Sequence, residues 1–195
     1  MASTPKILAF AGSTRTGSFN KKLVHVAAGA ARAAGAEVTL VDLRDYAMPL
    51  YDGDLEEKDG LPEAAKKLKA LLVASDGLLL SCPEYNSSIT GVLKNTIDWV
   101  SRQETDDEPD LVAYRGKVVA LLSASPGGFG GMRGLVTVRS IFGNIGAIVL
   151  PDQVSVSKAH EAFEADGSLK DKKLHGRVEK LAKTLAETCA KLRAR

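Results

Sequence analysis

The segment between Gly12 and Asn20 carries side chains whose types and spacing suit the binding of an anion. Its sequence, GSTRTGSFN, follows a short apolar run and opens a helical pattern. Backbone N–H groups at a helix start point at an anion, and the helix dipole favours negative charge there. Further donors come from Ser13, Thr14, Arg15, Thr16 and Ser18. One serine alone would indicate only a helix cap, but this density of donors predicts a phosphate site, in which Asn20 either binds the anion or pins the loop.

Two other nucleotide-binding patterns are absent from this segment. A P-loop requires Gly-Lys-Ser/Thr and a Rossmann fingerprint requires G-x-G-x-x-G, and Gly12–Asn20 contains neither. Asp42 ends the next strand pattern, where a Rossmann acid would bind a ribose. Because the glycines are missing, we interpret Asp42 as a strand-end or turn residue.

A second segment, Cys82–Trp99, combines a stiff start with polar and aromatic groups. It reads CPEYNSSITGVLKNTIDW. Pro83 stiffens the exit from a strand, and Tyr85 offers a flat face for an aromatic ligand. Glu84 and Asn86 lie beside Tyr85, where backbone groups can bond the polar edge of a ring. Leu93, Ile97 and Trp99 are expected in the core or an interface.

A third segment, Ser123–Gly134, is rich in glycine. It reads SASPGGFGGMRG, and its five glycines are expected to leave the main chain bare at the end of a strand. A flexible loop is the alternative. The position of this segment after a strand favours contact with the same ligand.

Short apolar runs alternate with segments of helical period along the chain. The strand patterns are Lys6–Ala11, Glu37–Asp42, Gly77–Cys82, Lys117–Ser123 and a fifth that begins at Ala147–Leu150 and that Pro151 interrupts or bends. Four helical patterns separate the strands, and a long one over Leu174–Leu192 closes the chain. The acidic stretch Gln103–Arg115 is predicted to be a surface excursion.

This alternation predicts βαβ units around a parallel sheet. We expect a single α/β domain over residues 1–195, a flavodoxin-like three-layer sandwich with strand order 2-1-3-4-5. A half-length Rossmann domain is the alternative. In the 2-1-3-4-5 order, strands one, three and four end near the point where the order reverses, so the three segments converge there.

Composition excludes several other classes of function. The net charge of +2 gives no electrostatic support for nucleic-acid binding, and no apolar run approaches the length of a membrane span. A start without a signal-peptide pattern favours the cytoplasm.

Cys82 and Cys189 have no clustered partners, which predicts reduced core thiols and no metal site. The three histidines, His25, His160 and His175, match no site motif.

The two polar segments resemble the signatures of the NADPH-dependent FMN reductase family, and of its bacterial quinone and chromate reductases in particular. The run PEYN…G…LKN…DW is the more specific of the two. The resemblance extends over nearly the whole chain. It implies that FMN is bound by Ser13, Thr14, Arg15, Thr16, Gly17, Ser18, Phe19 and Asn20 at its phosphate, and by Pro83, Glu84, Tyr85, Asn86, Ser125 and Gly127 along the ribityl chain and ring.

The resemblance also implies an activity and an assembly. A hydride would pass from NADPH or NADH to FMN, and two electrons would then reduce a quinone, chromate, an azo compound or free flavin. No catalytic side chain is required, and Arg102 is a candidate for binding an anionic acceptor or for a salt bridge to a second subunit. A homodimer or homotetramer is implied, with Tyr51 and Asp52 near the flavin. The alternative is an electron carrier of flavodoxin type; such carriers are usually strongly acidic, so the near-neutral charge favours the enzyme.

Overall fold

The strands form one parallel sheet in the order β2-β1-β3-β4-β5. The structure is a computed structural model that describes residues 4–194. Its strands are β1 (Lys6–Ala11), β2 (Glu37–Val41), β3 (Gly77–Ser81), β4 (Val118–Ala124) and β5 (Ile148–Val156). Ile7 of β1 pairs with Val38 on one side and with Gly77 on the other. The predicted flavodoxin-like order is confirmed, and the Rossmann alternative, whose order begins 3-2-1, is wrong.

Helices cover both faces of the sheet and complete three layers. They are α1 (Phe19–Ala33), α2 (Gly53–Asp59), α3 (Glu63–Val73), α4 (Gly91–Val100), α5 (Met132–Asn144) and α6 (Lys172–Arg193), with a single 3-10 turn at Leu43–Tyr46. α1 and α6 pack on one face, and α3, α4 and α5 on the other. No helix among residues 4–194 is long and apolar enough to cross a membrane.

The central strands β3 and β4 are buried at every residue. Leu78 and Leu80 face the α3–α5 side, whereas Leu79 faces α1 and α6. A strand covered on both faces needs apolar side chains in both directions, which explains the uninterrupted apolar runs in the sequence. The same burial fixes the strand ends that carry the polar segments.

The fifth strand continues past Pro151 instead of ending there. Val149 lies opposite Val119, but Gln153 lies opposite Leu121, so β5 contains extra residues at the proline. Arg139 of α5 donates hydrogen bonds to the carbonyl oxygens of Leu150 at 2.7 Å and Pro151 at 3.3 Å. The expected interruption is therefore wrong: β5 continues through the proline with a shifted register, and Arg139 bonds two carbonyl groups at the irregularity.

The acidic stretch Gln103–Arg115 is anchored to the core at two points. Lys69 of α3 is buried, and its ammonium group donates to the Arg102 carbonyl at 2.6 Å and to the Glu108 carboxylate. Tyr114 is also buried, 2% exposed. The prediction of a surface excursion is therefore wrong for these parts of the stretch. A buried lysine needs an anionic partner, and Glu108 supplies it.

Candidate cofactor site

Asn20 fastens the start of α1 to the ends of two strands. Its side-chain amide donates to the Ala124 carbonyl at 2.8 Å. Its side-chain oxygen accepts bonds from the Ser81 hydroxyl at 2.8 Å and from the Ala124 N–H at 2.9 Å. Of the two roles expected for Asn20, the structure shows the pinning of the loop. It brings α1 against the carboxyl ends of β3 and β4.

Thr90 fastens the other side of the same loop. Its hydroxyl donates to the Gly12 carbonyl at 2.6 Å and accepts the Leu93 N–H at 3.2 Å, which caps α4. A Cβ on Gly12 would lie 3.0 Å from the Leu93 side chain. The glycine therefore lets the first loop lie close to the Leu93 side chain of α4. Sequence reasoning missed Ser81 and Thr90, since neither stands in a recognisable motif.

The loop held in this way presents unpaired donors. Across the described residues 4–194, the backbone N–H groups of Thr14, Thr16, Gly17, Ser18, Phe19 and Asn20 have no protein acceptor. Ser18 is the residue before α1, but its hydroxyl does not cap the helix. A row of free N–H groups at a helix start, with a hydroxyl and the Arg15 guanidinium beside it, fits a phosphate group.

The second segment forms a tight turn that exposes an aromatic ring. Tyr85 and Ser88 exchange two backbone hydrogen bonds of 3.0 Å. Between them Asn86 and Ser87 have φ angles of 52° and 65°, the left-handed values of a two-residue hairpin turn. The Tyr85 side chain is 57% exposed. The turn thus holds an accessible aromatic face beside the phosphate loop.

Glu84 joins the second segment to the third. Its carboxylate pairs with the Arg133 guanidinium at 2.7 Å and accepts the Gly134 N–H at 3.1 Å, in the first turn of α5. Burial alone would raise the pKa of Glu84, but the bonds from Gly134 and Arg133 hold that pKa below its ordinary value. The Glu84 side chain is therefore an ionised link between the turn and α5, and any contact of Glu84 with a ligand falls to its backbone.

The third segment is less bare than its composition predicts. Gly127 and Gly128 are exposed, but Gly130, Gly131 and Gly134 are buried. A Cβ on Gly131, which has a φ of 83°, would lie 1.9 Å from the Ser123 hydroxyl oxygen. The expectation that all five glycines leave the main chain bare is wrong, because three of them allow close packing against neighbouring loops.

A cleft of about 90 Å³ lies between the three segments. Nine of the predicted binding residues line it, together with Ala124 and Pro126: Ser13, Arg15, Ser18, Phe19, Asn20, Pro83, Glu84, Tyr85 and Ser125. Five others are neighbours in the same loops but do not line the cleft: Thr14, Thr16, Gly17, Asn86 and Gly127. The three segments thus converge as the strand order predicts.

Arg102 and Tyr51 lie elsewhere. Arg102 follows the C-terminal end of α4 and pairs with Glu56 of α2 at 2.9 Å. The Tyr51 hydroxyl also bonds Glu56, at 2.8 Å, and the Arg102 guanidinium lies 5.8 Å from the Tyr51 ring centre. Neither residue lines the cleft of this chain. The structure therefore does not bring Arg102 to the predicted site, because α4 runs away from the strand ends that form it.

Cys82 precedes Pro83 of the cleft lining, and its thiol is unreactive. It follows β3 and is 1% exposed, and burial raises its thiol pKa to about 12. The thiol is thus protonated at neutral pH and is not a nucleophile. Residues 4–194 hold no group of three His, Cys, Asp or Glu side chains arranged for a metal ion.

Comparison with known proteins identifies the family of the chain. The family model described as NADPH-dependent FMN reductase matches residues 5–161. The chain belongs to this family. Its membership makes the protein an oxidoreductase that uses FMN as cofactor and NAD(P)H as reductant.

Individual relatives match most of the chain. An NAD(P)H-dependent FMN reductase of Pseudomonas aeruginosa is 34% identical over 195 residues, which are 99% of this chain and 100% of that protein. A quinone reductase of Escherichia coli is 33% identical over 77% of this chain and 76% of its own. A solved flavoenzyme NAD(P)H:(acceptor) oxidoreductase of Paracoccus denitrificans superposes with a TM-score of 0.78 at 26% identity, covering 96% of this chain and 98% of that one.

Proposed function

We propose that the cleft between the three segments holds FMN and that the enzyme uses NAD(P)H to reduce quinones, azo compounds, chromate or free flavin. The row of unpaired N–H groups at the start of α1 carries the proposal, since it lies beside an exposed aromatic turn at the strand ends. The chemistry that FMN would supply when bound is the acceptance of a hydride from NAD(P)H and the transfer of two electrons to the acceptor. The chain itself binds, orients and leaves room for the second ligand.

The first segment would hold the phosphate. The free N–H groups of residues 16 to 19 and the Ser18 hydroxyl supply donors, and Arg15 supplies a charge-assisted bond. Ser13 stabilises the loop, because its hydroxyl oxygen accepts a hydrogen bond from the Arg15 N–H at 3.3 Å. The first segment itself contains no Asp or Glu, which suits a doubly charged phosphate.

The second and third segments would hold the ribityl chain and the ring. Pro83 is buried and fixes the start of the turn, while the Tyr85 face and the backbone of Glu84 and Asn86 remain available. Ser125 lines the cleft, and its hydroxyl accepts the Gly127 N–H at 3.2 Å. The exposed side of Tyr85 and of Gly127 leaves an approach for NAD(P)H and the acceptor in turn.

Anaerobic mixing of the FMN-loaded protein with NADPH tests the proposal. We expect the yellow absorbance to bleach within seconds to minutes and to return when a quinone is added. A protein that binds FMN but is not bleached would be an electron carrier and not a reductase. A colourless protein that takes up no added FMN would overturn the assignment of the cleft.

A steady-state comparison of acceptors tests the finer claims. Quinones, an azo dye, chromate and free FMN are compared at equal NADPH concentration, and then with NADH. We expect turnover with a quinone, in line with the name of the E. coli relative. Failure with chromate or the dye would restrict the acceptor class without affecting the cofactor.

We also propose a homodimer or homotetramer in the cytoplasm. The support for assembly is apolar surface beside the third segment, where Phe129, Met132 and Val136 are 60%, 46% and 66% exposed. Exposed apolar patches of this kind mark contact surfaces. The support for the cytoplasm is the use of NAD(P)H as reductant.

A further inference from the structure

An ion-paired cluster outside the predicted site is bonded to the phosphate loop. Arg44 lies in the 3-10 turn after β2, and its guanidinium donates to the Thr16 hydroxyl oxygen at 3.1 Å. Two other nitrogens of the same guanidinium donate to the Asp42 carboxylate at 2.8 and 3.1 Å. The planar fork of Arg44 is thus shared between a carboxylate and the loop.

Asp42 in turn connects to α1. Its two carboxylate oxygens lie 2.9 and 2.7 Å from the ammonium group of Lys21, in the first turn of the helix. The Lys21 side chain is only 13% exposed. Burial would raise the pKa of Asp42, but hydrogen bonds from Arg44 and Lys21 hold it well below its ordinary value. The cluster therefore braces the end of β2, the helix start and the loop at neutral pH.

The direction of the bond to Thr16 has a chemical consequence. A hydroxyl group has one proton to donate and two lone pairs that accept. Because the Thr16 oxygen accepts from Arg44, its proton is free for another acceptor. The backbone N–H groups on both sides of Thr16's side chain, those of Thr16 and Gly17, are unpaired as well.

We propose that Arg44 is a positioning residue for the FMN phosphate and that it acts through Thr16. The Asp42 carboxylate holds the Arg44 guanidinium in place. The proposal rests on the proposed function of the cleft. Arg44 does not line the cleft. Its effect is to hold Thr16, so that the hydroxyl and the loop backbone keep their donors available to the phosphate.

Binding of FMN and of riboflavin to the apoprotein separates this role from general support of the fold. Riboflavin has the same ring and ribityl chain but no phosphate, so the ratio of the two affinities measures the phosphate contribution. For Arg44→Ala, we expect FMN affinity to fall about tenfold, the size of one hydrogen bond to a charged group, with riboflavin affinity unchanged. Flavin fluorescence quenching measures both affinities. Arg32→Ala is the matched control, because Arg32 also bonds β2, at the Val38 carbonyl, away from the loop.

Two further variants keep the test decisive if Arg44→Ala folds poorly. Asp42→Asn removes a negative charge near the phosphate and replaces one of the two oxygens that hold Arg44 and Lys21 by an amide NH2 group. Positioning therefore predicts weaker FMN binding, whereas a purely electrostatic role predicts tighter binding. Thr16→Val should weaken FMN binding as Arg44→Ala does. The protein that carries both substitutions should bind FMN as tightly as the protein with Thr16→Val alone.

The possible failures are distinct. An unchanged ratio of FMN to riboflavin affinity in Arg44→Ala, or tighter FMN binding in Asp42→Asn, would each overturn the role of Arg44 while leaving the cleft assignment intact. Wild-type protein that binds FMN no better than riboflavin would overturn both the phosphate loop and the proposal built on it.

Discussion

Glu84 illustrates how one side chain can be committed to structure inside a ligand-binding motif. Its side chain is 8% exposed, and both oxygens are used, one by Arg133 and the other by the Gly134 N–H. A carboxylate at a helix start is stabilised by the free N–H groups there. The negative charge is thereby neutralised beside the cleft, and the turn that carries Tyr85 is tied to α5.

We expect Glu84→Gln to lower the free energy of unfolding by about 1 kcal/mol at neutral pH, because the amide keeps a bond to Gly134 but loses the ion pair with the half-exposed Arg133. The pKa of Glu84 is lowered in the folded state, so its stabilisation is complete above the ordinary carboxyl pKa. It is lost as the pH falls through the lowered value. Urea unfolding of both proteins across this pH range measures the difference.

Glu187→Gln is the control for that measurement, since Glu187 is an exposed residue of α6 in a long ion pair of 3.8 Å with Lys183. A Glu84→Gln difference that stays constant down to strongly acidic pH would show that the ion pair does not provide the stabilisation.

Arg15 and Ser18 carry the prediction for the phosphate loop. If both donate to the phosphate, the double replacement by Ala should weaken FMN binding by about 2–4 kcal/mol, since a hydrogen bond to a charged group contributes about 1.5–3 kcal/mol. Fluorescence titration of the apoprotein measures this change. Lys183→Ala removes a charge on α6, far along the chain from the loop, and should leave the affinity unchanged. An unaltered affinity in the double variant would show that the loop does not bind the phosphate.

The donors of this loop could be predicted from sequence because they are consecutive and follow a strand. The partners of Glu84, Asp42 and Lys69 could not. Each is paired by a residue from another element, such as Arg133 or Glu108, and the approach of two elements is decided by tertiary packing. Asp42 was expected to be a strand-end or turn residue; β2 ends at Val41, and Asp42 caps the 3-10 turn that follows. Its two cationic partners could not be predicted from the sequence.

At the scale of elements, the glycines of the third segment are a packing requirement. Gly131 combines a left-handed φ with a position against Ser123, which itself bonds the Cys82 carbonyl at 2.7 Å. We expect Gly131→Ala to destabilise the protein by at least about 2 kcal/mol, from backbone strain and steric overlap together. Thermal unfolding checks this. Gly128→Ala is the matched control, as nothing lies within 4 Å of a Cβ there; equal effects would contradict the packing argument.

Periodicity predicted the elements that are long or buried and missed those that depend on a local arrangement. The apolar runs of β3 and β4 and the helical faces of α1 and α6 carry a clear pattern. α2 has no buried residue, so it leaves no apolar period to detect. The continuation of β5 beyond Pro151 depends on Arg139, whose role appears only once α5 lies over the strand.

At the scale of the whole molecule, the strand order determines where the site lies. β1 is central between β2 and β3, so the loops after β1, β3 and β4 share one edge of the sheet. The Asp42–Arg44 cluster approaches the same edge from β2. The sequence therefore predicts the location of the site well once the strand order is known. It contains no comparable pattern for the surface through which one subunit would contact another.

The exposed apolar side chains at the start of α5 are where we expect two subunits to meet. Met132 and Val136 lie one turn apart on α5, directly after exposed Phe129, whose ring is 5.0 Å from the Arg133 guanidinium. An interface here would border the cleft, because Arg133 also pairs with Glu84. Light scattering after gel filtration should give the mass of a dimer or tetramer for the wild type and a smaller mass for Val136→Lys, since a buried unpaired charge opposes association. Val73→Lys, at the end of α3 and 43% exposed, is the matched control and should not change the mass. A monomeric wild type would contradict the proposed assembly, whereas a Val136→Lys variant of unchanged mass would place the interface on another face.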